Sequence, residues 1–270
     1  MPEDFLHTTL GKIATPVFRL GLAATYRPGK RTIYKALDEG VNYLFYFGID
    51  THMTSVLREV VKSQRDRYVI ATGAYNYIWW RQDLRRTLER RLRQIGTDYI
   101  DVFHFLGVMK PKEFTPRVRE QLEVVRRSGL VRAVSLSTHD RKFAADLANE
   151  GAIDAMMIRY NAAHRGAEEE IFPRLPASDP AVISYTATRW GFLIRRPRGY
   201  PKDGRIPTPG MCYRFVLSNP HVDVCLMAPS NQKQLEENLA AVRQGPLDDP
   251  EMSFMRDFGD VVHRQYKRFM

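Results

Sequence analysis

Gly96-Thr97-Asp98-Tyr99-Ile100-Asp101-Val102 joins an amphipathic helix to a buried strand. Ahead of it, apolar residues recur at helical spacing, namely Leu84, Leu88, Leu92 and Ile95. Gly96 follows this stripe at the point where a left-handed helix C-cap is expected. The run that continues to Leu106 is rich in β-branched and aromatic residues, which favours a strand. The stretch therefore predicts one helix-then-strand unit of a parallel sheet.

Short apolar runs alternate with helical stretches in the same way along the whole chain. The strand candidates are Pro16–Leu22, Val41–Tyr46, Tyr68–Thr72, Ile100–Leu106, Val131–Ser137, Ala155–Ile158, Ala181–Tyr185 and Val222–Met227. The helix candidates lie near 31–39, 53–63, 81–95, 113–128, 140–149, 166–175, 208–218 and 231–243. This alternation predicts an α/β fold, a single (β/α)8 TIM barrel over residues 1–270. An extra C-terminal helix from Asp248 is expected to dock its apolar side on the barrel's outer layer.

The composition is that of an ordinary globular protein, with 44% hydrophobic and 27% charged residues among 270. The two cysteines, Cys212 and Cys225, form no CxxC pair, and no histidines have ligand spacing. We therefore expect no disulfide framework and no metal site. The acidic N-terminus leads into no long apolar run, and no segment reaches the ~18 apolar residues of a membrane span. These features predict a cytoplasmic protein with no membrane partner.

The net charge of +10 raises the question of a nucleic-acid partner. The arginines within Arg81–Arg93 are explained as the solvated face of the helix that carries the leucine stripe. A second group, Arg195-Arg196-Pro197-Arg198, lies in the irregular region 192–207, a candidate mobile loop over a barrel mouth. Because no RRM, KH or helix-turn-helix signature accompanies them, we expect no nucleic-acid partner. Oligomeric state is not encoded in any recognisable pattern.

Several segments resemble the aldo/keto reductase superfamily, and together they cover most of the chain. The passage Arg86–Asp101 resembles the helix-to-strand signature ahead of the family's catalytic histidine, and Arg132–Ser137 is similar to the strand ending in Gly-Val-Ser-Asn. Leu217-Ser218-Asn219-Pro220 and Gln234–Ala241 resemble the last helical unit, which in the family holds the adenosine end of NADP(H). The resemblance implies a barrel that binds a nicotinamide cofactor and reduces carbonyls.

The family's four catalytic positions all carry other residues in this chain. Counting from Gly40-Val41-Asn42, the aspartate position is Phe45 and the tyrosine position is Asp50, while Gly73 and Leu106 hold the lysine and histidine positions. In the family the tyrosine is a general acid whose pKa is lowered by a lysine paired to the aspartate. Losing one member of a buried pair alone would strand a charge at about 3–5 kcal/mol, and here both are lost. We therefore interpret the interior as repacked and expect the family's usual mechanism to be absent.

Three other side chains are candidates for the proton donor. Asp50 in an apolar pocket would have a raised pKa and act as an acid or base, unless it is an exposed loop residue that caps the helix from about Met53. His104 shares the face of Leu106 on its strand, so it points inward as a catalytic group or as a hydrogen-bonded core histidine. Tyr75 supplies a hydroxyl at the rim, or it joins an aromatic substrate wall with Tyr77, Trp79 and Trp80.

The resemblance also implies a partial nicotinamide site. Tyr185, at the end of the seventh strand, fits the aromatic that stacks on nicotinamide, and the alternative is a strand-end aromatic with no such role. Ser137 and Thr138 take the place of the family's Ser-Asn pair, and Met157 replaces its glutamine. His139, a loop histidine at the same end of the barrel, is expected to be structural or exposed.

The adenosine end is a partial match as well. Glu237 and Asn238 match the family's adenine-contacting pair, and Ser230, Asn231 and Gln234 lie where phosphate or ribose contacts occur. The basic residue often used for the 2′-phosphate is Gln234 here, so the resemblance leaves NADP(H) and NAD(H) open.

Three functions are compatible with the sequence. The first, which we favour, is an NAD(P)-dependent oxidoreductase that acts on a small carbonyl or alcohol with a non-standard donor such as Asp50 or His104. The second is a nucleotide-binding regulatory protein without turnover, because the catalytic positions are all replaced. The third is a non-redox isomerase or lyase that uses acid–base residues, for which Met157 and Ala228-Pro229 give the reason.

Overall fold

The computed structural model describes residues 4–76 and 83–266. Two short strands, β1 (His7–Thr9) and β2 (Pro16–Phe18), form an antiparallel hairpin. The barrel strands are β3 (Leu20–Ala23), β4 (Tyr43–Phe45), β5 (Val69–Tyr75), β6 (Ile100–Val108), β7 (Val131–Thr138), β8 (Ala155–Arg159), β9 (Ala181–Tyr185) and β10 (Val224–Met227). They are parallel, follow one another around the barrel in chain order, and close where β10 pairs with β3. The predicted (β/α)8 barrel is confirmed.

Helices connect the barrel strands and cover their outer faces. They are α1 (Lys30–Asp38), α2 (Thr51–Gln64), α3 (Leu84–Ile95), α4 (Pro116–Arg127), α5 (Arg141–Asn149), α6 (Ala167–Glu170), α7 (Pro209–Leu217), α8 (Gln232–Val242) and α9 (Asp249–Gln265). The helix predicted near 166–175 is wrong in length, because α6 gives way to a 3-10 turn over Phe172–Arg174. Pro173 lacks the N–H that would continue the α-helical bonds.

The single strand predicted over Pro16–Leu22 is wrong, because the chain changes sheets at Arg19. The Arg19 guanidinium is 1% exposed and donates to carbonyl oxygens, including that of Val222 at 2.7 Å. The preceding hairpin loop places Leu10 and Ile13 in the interior cluster, beside the start of β9. The hairpin therefore closes the amino-terminal end of the barrel, and the carboxyl-terminal end of the strands is its mouth.

Side chains along each strand alternate between the barrel interior and the layer under the helices. On β8, Ala155 and Met157 belong to the interior cluster, whereas Met156 and Ile158 pack with the outer core. The same alternation on the other strands decides which side chains reach the mouth from inside.

α9 lies outside the barrel repeat and docks on it, as predicted. Met255, Phe258 and Val262 are buried in the outer core. A β-carbon on Gly259 would overlap the carbonyl oxygen of Ala162, so the helix backbone directly contacts the loop after β8. The end of α9 also bonds the irregular region 192–207, where the side chain of Gln265 accepts from the Arg198 N–H at 2.9 Å.

Within the described residues, every helix is too short or too polar to cross a bilayer. In the same part of the chain, no cluster of three or more histidine, cysteine, aspartate or glutamate side chains could hold a metal ion. Cys212 and Cys225 are both buried free thiols.

Candidate active site

Phe45, Gly73 and Leu106, which the resemblance implies are three of the family's four catalytic positions, face the barrel interior near its mouth. Phe45 ends β4, Gly73 lies in β5, and Leu106 lies in β6 opposite Tyr75 in the strand register. Phe45 is 3% exposed and Leu106 is 4% exposed, and both belong to the interior apolar cluster. This side of the interior is packed by apolar side chains.

Gly73 is required by the close approach of two strands. It lies opposite His104 in the β5–β6 ladder, and a β-carbon on it would overlap the carbonyl oxygen of His104. Any other residue at position 73 forces the strands to shift.

His104 lies inside the barrel and is fully buried. Its Nδ1 is 2.8 Å from the hydroxyl oxygen of Ser135, and its ring meets Phe45 edge-on with centroids 5.5 Å apart. Burial lowers the pKa of His104 to about 3, so the imidazole is neutral at pH 7. Its Nε2 has no hydrogen-bond partner among the described residues. These contacts agree with the prediction that His104 points inward, and they are those of a core histidine.

Asp50 is the N-cap of α2, where its Oδ1 accepts a hydrogen bond from the Met53 N–H at 2.8 Å. The predicted capping role is confirmed. The predicted exposure is wrong, because the residue is only 9% exposed. Burial raises the pKa of Asp50, and its second carboxylate oxygen has no hydrogen-bond partner in the described part of the chain. The carboxyl group of Asp50 thus caps the first turn of α2 at the mouth of the barrel.

Tyr75 is the last residue of β5 and shares its inward face with Gly73. Its ring stacks on Phe47, with centroids 6.1 Å apart and planes 8° apart. Phe47 in turn meets Phe45 edge-on at 4.6 Å. Tyr75 therefore brings a phenol to the apolar side of the mouth. The remaining residues of the predicted aromatic wall, Tyr77, Trp79 and Trp80, lie outside the described residues.

The opposite side of the mouth, formed by β7 to β9, carries polar and cationic groups. The Tyr185 hydroxyl lies 3.1 Å from Nε2 of His139, which is half-buried. Burial raises the pKa of Tyr185, an effect that the Ser137 hydroxyl opposes. Ser137 is 6% exposed on the inward face of β7. The Thr138 hydroxyl instead accepts from the Asp140 N–H at 3.0 Å, at the start of α5.

Arg159 is a mouth residue that the sequence analysis missed. The predicted strand ended at Ile158, but β8 continues through Arg159, which pairs with Tyr185 in the β8–β9 register. Because Ala155 and Met157 face inward, the alternation directs Arg159 inward too. The local sequence gave no signal for this, because the apolar run ends at Ile158.

The residues predicted for the adenosine end gather at the start of α8. The side chain of Asn231 accepts from the Gln234 N–H at 3.0 Å, and the side chain of Gln234 accepts from the Ser230 N–H at 2.8 Å. These bonds are similar to a capping box, except that Gln234 accepts from the residue before the N-cap. Glu237 is exposed and Asn238 is buried one turn further along. Asn231 and Gln234 therefore already stabilise the helix start.

Known proteins resemble this chain in sequence and in fold. The model described as "Aldo/keto reductase family" matches residues 30–205, more than half of the chain. The NADH-specific methylglyoxal reductase of Escherichia coli (strain K12) is 20% identical over 217 residues, which are 68% of this chain and 66% of that reductase. The chain thus spans slightly less than two thirds of that relative's length.

Two solved structures share the fold. The holo form of aldo-keto reductase AKR11C1 from Bacillus halodurans gives a TM-score of 0.75 at 20% identity, over 93% of this chain and 95% of that chain. Its apo form gives a TM-score of 0.74 at 21% identity, over the same shares of the two chains. At these identities the likeness concerns the fold.

Proposed function

The chain belongs to the aldo/keto reductase family, and on this premise we propose that it is an NAD(P)-dependent oxidoreductase with a non-standard proton donor. Its substrate is a small carbonyl compound or alcohol. The observation that carries the proposal is Tyr185 on the inward face of β9 at the mouth, with His139 at 3.1 Å from its hydroxyl and Ser137 beside it.

The polar side of the mouth fits a nicotinamide ring in part. Tyr185 offers an aromatic face for stacking, the Ser137 hydroxyl beside it supports a bond to the carboxamide, and Met157 offers only an apolar contact. When bound, NAD(P)H supplies the hydride. We assign Ser137, Thr138 and Tyr185 to the nicotinamide end, and Ser230, Asn231, Gln234, Glu237 and Asn238 to the adenosine end. NADP(H) and NAD(H) are both compatible with these residues.

The proton requires a donor other than the family tyrosine. Phe45, Gly73 and Leu106 carry no acid, and the Asp50 carboxyl caps α2. His104 is neutral, buried behind Phe45 and bonded to Ser135. We therefore propose Tyr75 as the donor, because its phenol-bearing side chain ends β5 opposite Leu106, the position of the family's histidine.

A titration with NADPH and NADH, followed by nicotinamide fluorescence, tests cofactor binding. We expect saturable binding that weakens about 5- to 150-fold in Tyr185→Ala, because one aromatic stack contributes about 1–3 kcal/mol. Tyr34→Ala is the matched control, since Tyr34 bonds Glu59 on the outer surface between α1 and α2. If neither nucleotide binds at millimolar concentration, the proposal is wrong.

Turnover is tested first with methylglyoxal, because one relative is a methylglyoxal reductase. We expect Tyr75→Phe to lower kcat at least a hundredfold with little change in NAD(P)H affinity. Asp50→Asn and His104→Gln are the comparison variants. Loss of turnover in Asp50→Asn with Tyr75→Phe still active would assign the donor to Asp50.

A second function, nucleotide binding without turnover, is favoured by one observation. The overlap between a β-carbon at position 73 and the carbonyl oxygen of His104 removes room for the family's lysine. Saturable nucleotide binding with no turnover of any carbonyl or alcohol would support this function.

A further inference from the structure

Arg159 is an inward-facing arginine that has no carboxylate partner among residues 4–76 and 83–266. It ends β8 at the mouth, in register with Tyr185. Its Nη1 is buried and has no hydrogen-bond partner among the described residues. In the same part of the chain, Arg159 forms no ion pair with a carboxylate. Removing this Nη1 from water without giving it an acceptor is destabilising.

Two other arginines of this protein show what a satisfied buried guanidinium looks like. Arg19 donates to backbone carbonyls, including that of Leu217 at 3.0 Å, and Arg65 contacts the Asp101 carboxylate at 2.7 Å. Both are held by the fold itself. Arg159 differs from them because it lies at the mouth and because its Nη1 has no acceptor among the described residues.

The groups around Arg159 add positive charge instead of compensating it. Arg141 and Arg189 both lie close enough to act on it or on its neighbours electrostatically. Arg141 already contacts Glu170 at 2.7 Å, and Arg189 donates to the Val262 and Tyr266 carbonyls at 3.1 and 2.6 Å.

Two histidines, His139 and His164, also lie close to Arg159, and neither forms an ion pair with a carboxylate among the described residues. Burial, together with the charge of Arg159, lowers the pKa of His164 to about 3. Its Nε2, like Nη1 of Arg159, is buried without a partner among the described residues. Burial and Arg159 likewise lower the pKa of His139. The positive charge on the β7–β9 side of the mouth therefore comes from arginine, and Nη1 of Arg159 is a donor without an acceptor among the described residues.

The facing side of the mouth is apolar, with Phe47, Tyr75 and Leu106 from β4 to β6. A molecule that enters this mouth meets an arginine on one side and an aromatic wall on the other. Such a division fits a ligand with an anionic head and an apolar body.

We propose that Arg159 binds a carboxylate or phosphate oxyanion of the molecule that enters the barrel mouth. The Nη1 and Nη2 fork of Arg159 donates to two oxygens of that group, with the Tyr185 and His139 side chains beside it. If the proposed reductase function holds, the substrates include carbonyl compounds that also carry an acidic group. Only the identification of the anion as a substrate rests on the proposed function. The anion site itself can be tested without cofactor or turnover.

Calorimetric titration of cofactor-free protein with sodium benzoate, sodium acetate and inorganic phosphate tests the site. We expect saturable benzoate or phosphate binding, with benzoate tighter than acetate because of the apolar wall. Arg159→Met should weaken the anion at least tenfold, and Arg159→Lys should weaken it less, because it keeps the charge and loses the fork. Arg119→Met is the control, since Arg119 pairs with Glu150 on the outer surface at 2.8 Å and its loss changes the net charge equally.

Folding of the variant is checked by its melting temperature, which should not fall, because Arg159→Met removes a charge that none of the described carboxylates neutralises. No saturable binding of benzoate or phosphate to the wild-type protein would overturn the proposal. Equal weakening in Arg119→Met would do the same, and so would a loss of NADPH affinity in Arg159→Met with anion binding intact.

Repeating the titrations on NADPH-saturated protein identifies the source of the oxyanion. Benzoate that still binds through Arg159 indicates a substrate carboxylate, and phosphate displaced by the nucleotide indicates a cofactor phosphate. Benzoate binding in a protein that binds neither NADPH nor NADH would reject the reductase function and leave the anion site standing.

Discussion

The backbones of Gly73 and His104 lie so close across the β5–β6 ladder that a β-carbon on Gly73 would overlap the His104 carbonyl oxygen. The resemblance in sequence implies that Gly73 stands where the family has its catalytic lysine. A lysine needs a β-carbon, so the two strands must separate before it can be accommodated. The missing lysine is therefore a property of the backbone packing as well as of the residue type.

We predict that Gly73→Ala lowers the free energy of unfolding by about 1–3 kcal/mol, the usual effect of overpacking a core. Gly73→Lys should be worse and should not create reductase activity by itself. Urea denaturation measures both. The control is Gly199→Ala, at φ 73° with open space around it, where only the backbone conformation costs about 1 kcal/mol. A Gly73→Ala variant as stable as the wild type would contradict the close approach.

The strand alternation made part of the site predictable. His104 was expected to share the inward face of Leu106, and it does, because side chains two apart on a strand must lie on one side. Helix capping by Asp50 was also accessible, since it depends on residues only three apart. Local rules of this kind need no knowledge of the neighbouring strands.

Features that depend on distant pairing could not be predicted. Arg159 belongs to its strand because it pairs with Tyr185 of β9, and an apolar run that ends at Ile158 gives no sign of this. The division of Pro16–Leu22 into two strands likewise depends on distant residues. The Arg19 guanidinium donates hydrogen bonds to acceptors such as the Val222 carbonyl oxygen. Neither the end of β8 nor the break at Arg19 can be read from the local sequence.

Asp101 is predicted to be the most sensitive charged position outside the mouth. It is 1% exposed and accepts hydrogen bonds from Arg65 at 2.7 Å, the Ile70 N–H at 2.8 Å and Arg132 at 3.1 Å. Asp101→Asn leaves the Arg65 guanidinium without its counter-charge, so we expect a loss of about 3–5 kcal/mol in the free energy of unfolding.

Urea denaturation at neutral pH measures the effect of Asp101→Asn. Glu150→Gln breaks an exposed pair with Arg119 and should cost less than about 1 kcal/mol. Similar losses in the two variants would show that the buried Asp101–Arg65 pair contributes no more to the free energy of unfolding than the exposed pair does.

Asp50→Ala is predicted to lower the free energy of unfolding by about 1 kcal/mol, because the Met53 N–H loses its acceptor. Asp50→Asn keeps an acceptor oxygen and should cost less. Asp140→Ala, at the equivalent cap of α5, is the matched control and should resemble Asp50→Ala. If Asp50→Ala were instead stabilising, the desolvation of its unpaired carboxylate oxygen would outweigh the cap.

Asp223 should make stability fall as the pH rises from about 4 to about 7. Burial raises the pKa of this carboxyl from 3.8 to about 7, with a further contribution from Asp179, although its Oδ2 accepts the Val182 N–H at 2.7 Å. The folded state therefore holds a proton that the unfolded state releases near pH 4. Its contribution to stability is fully present below pH 3.8 and is lost as the pH rises through about 7.

The buried histidines act in the opposite direction. Because burial lowers the pKa of His104 and of His164 to about 3, their contribution to stability is lost as the pH falls below about 6.5. The wild-type pH profile is thus a sum of opposing slopes. Only the difference between a variant and the wild type isolates Asp223.

Asp223→Asn keeps an acceptor for the Val182 N–H and removes the ionisation. We expect its free energy of unfolding, relative to the wild type, to rise between pH 4 and pH 8 by a few kcal/mol, since each pKa unit corresponds to about 1.4 kcal/mol. Denaturant titrations at four or five pH values measure this difference. Asp248→Asn, at the exposed cap of α9, should run parallel to the wild type. A constant difference for Asp223→Asn across that range would mean that Asp223 is ionised at neutral pH, held in that form by the nearby Arg19 guanidinium.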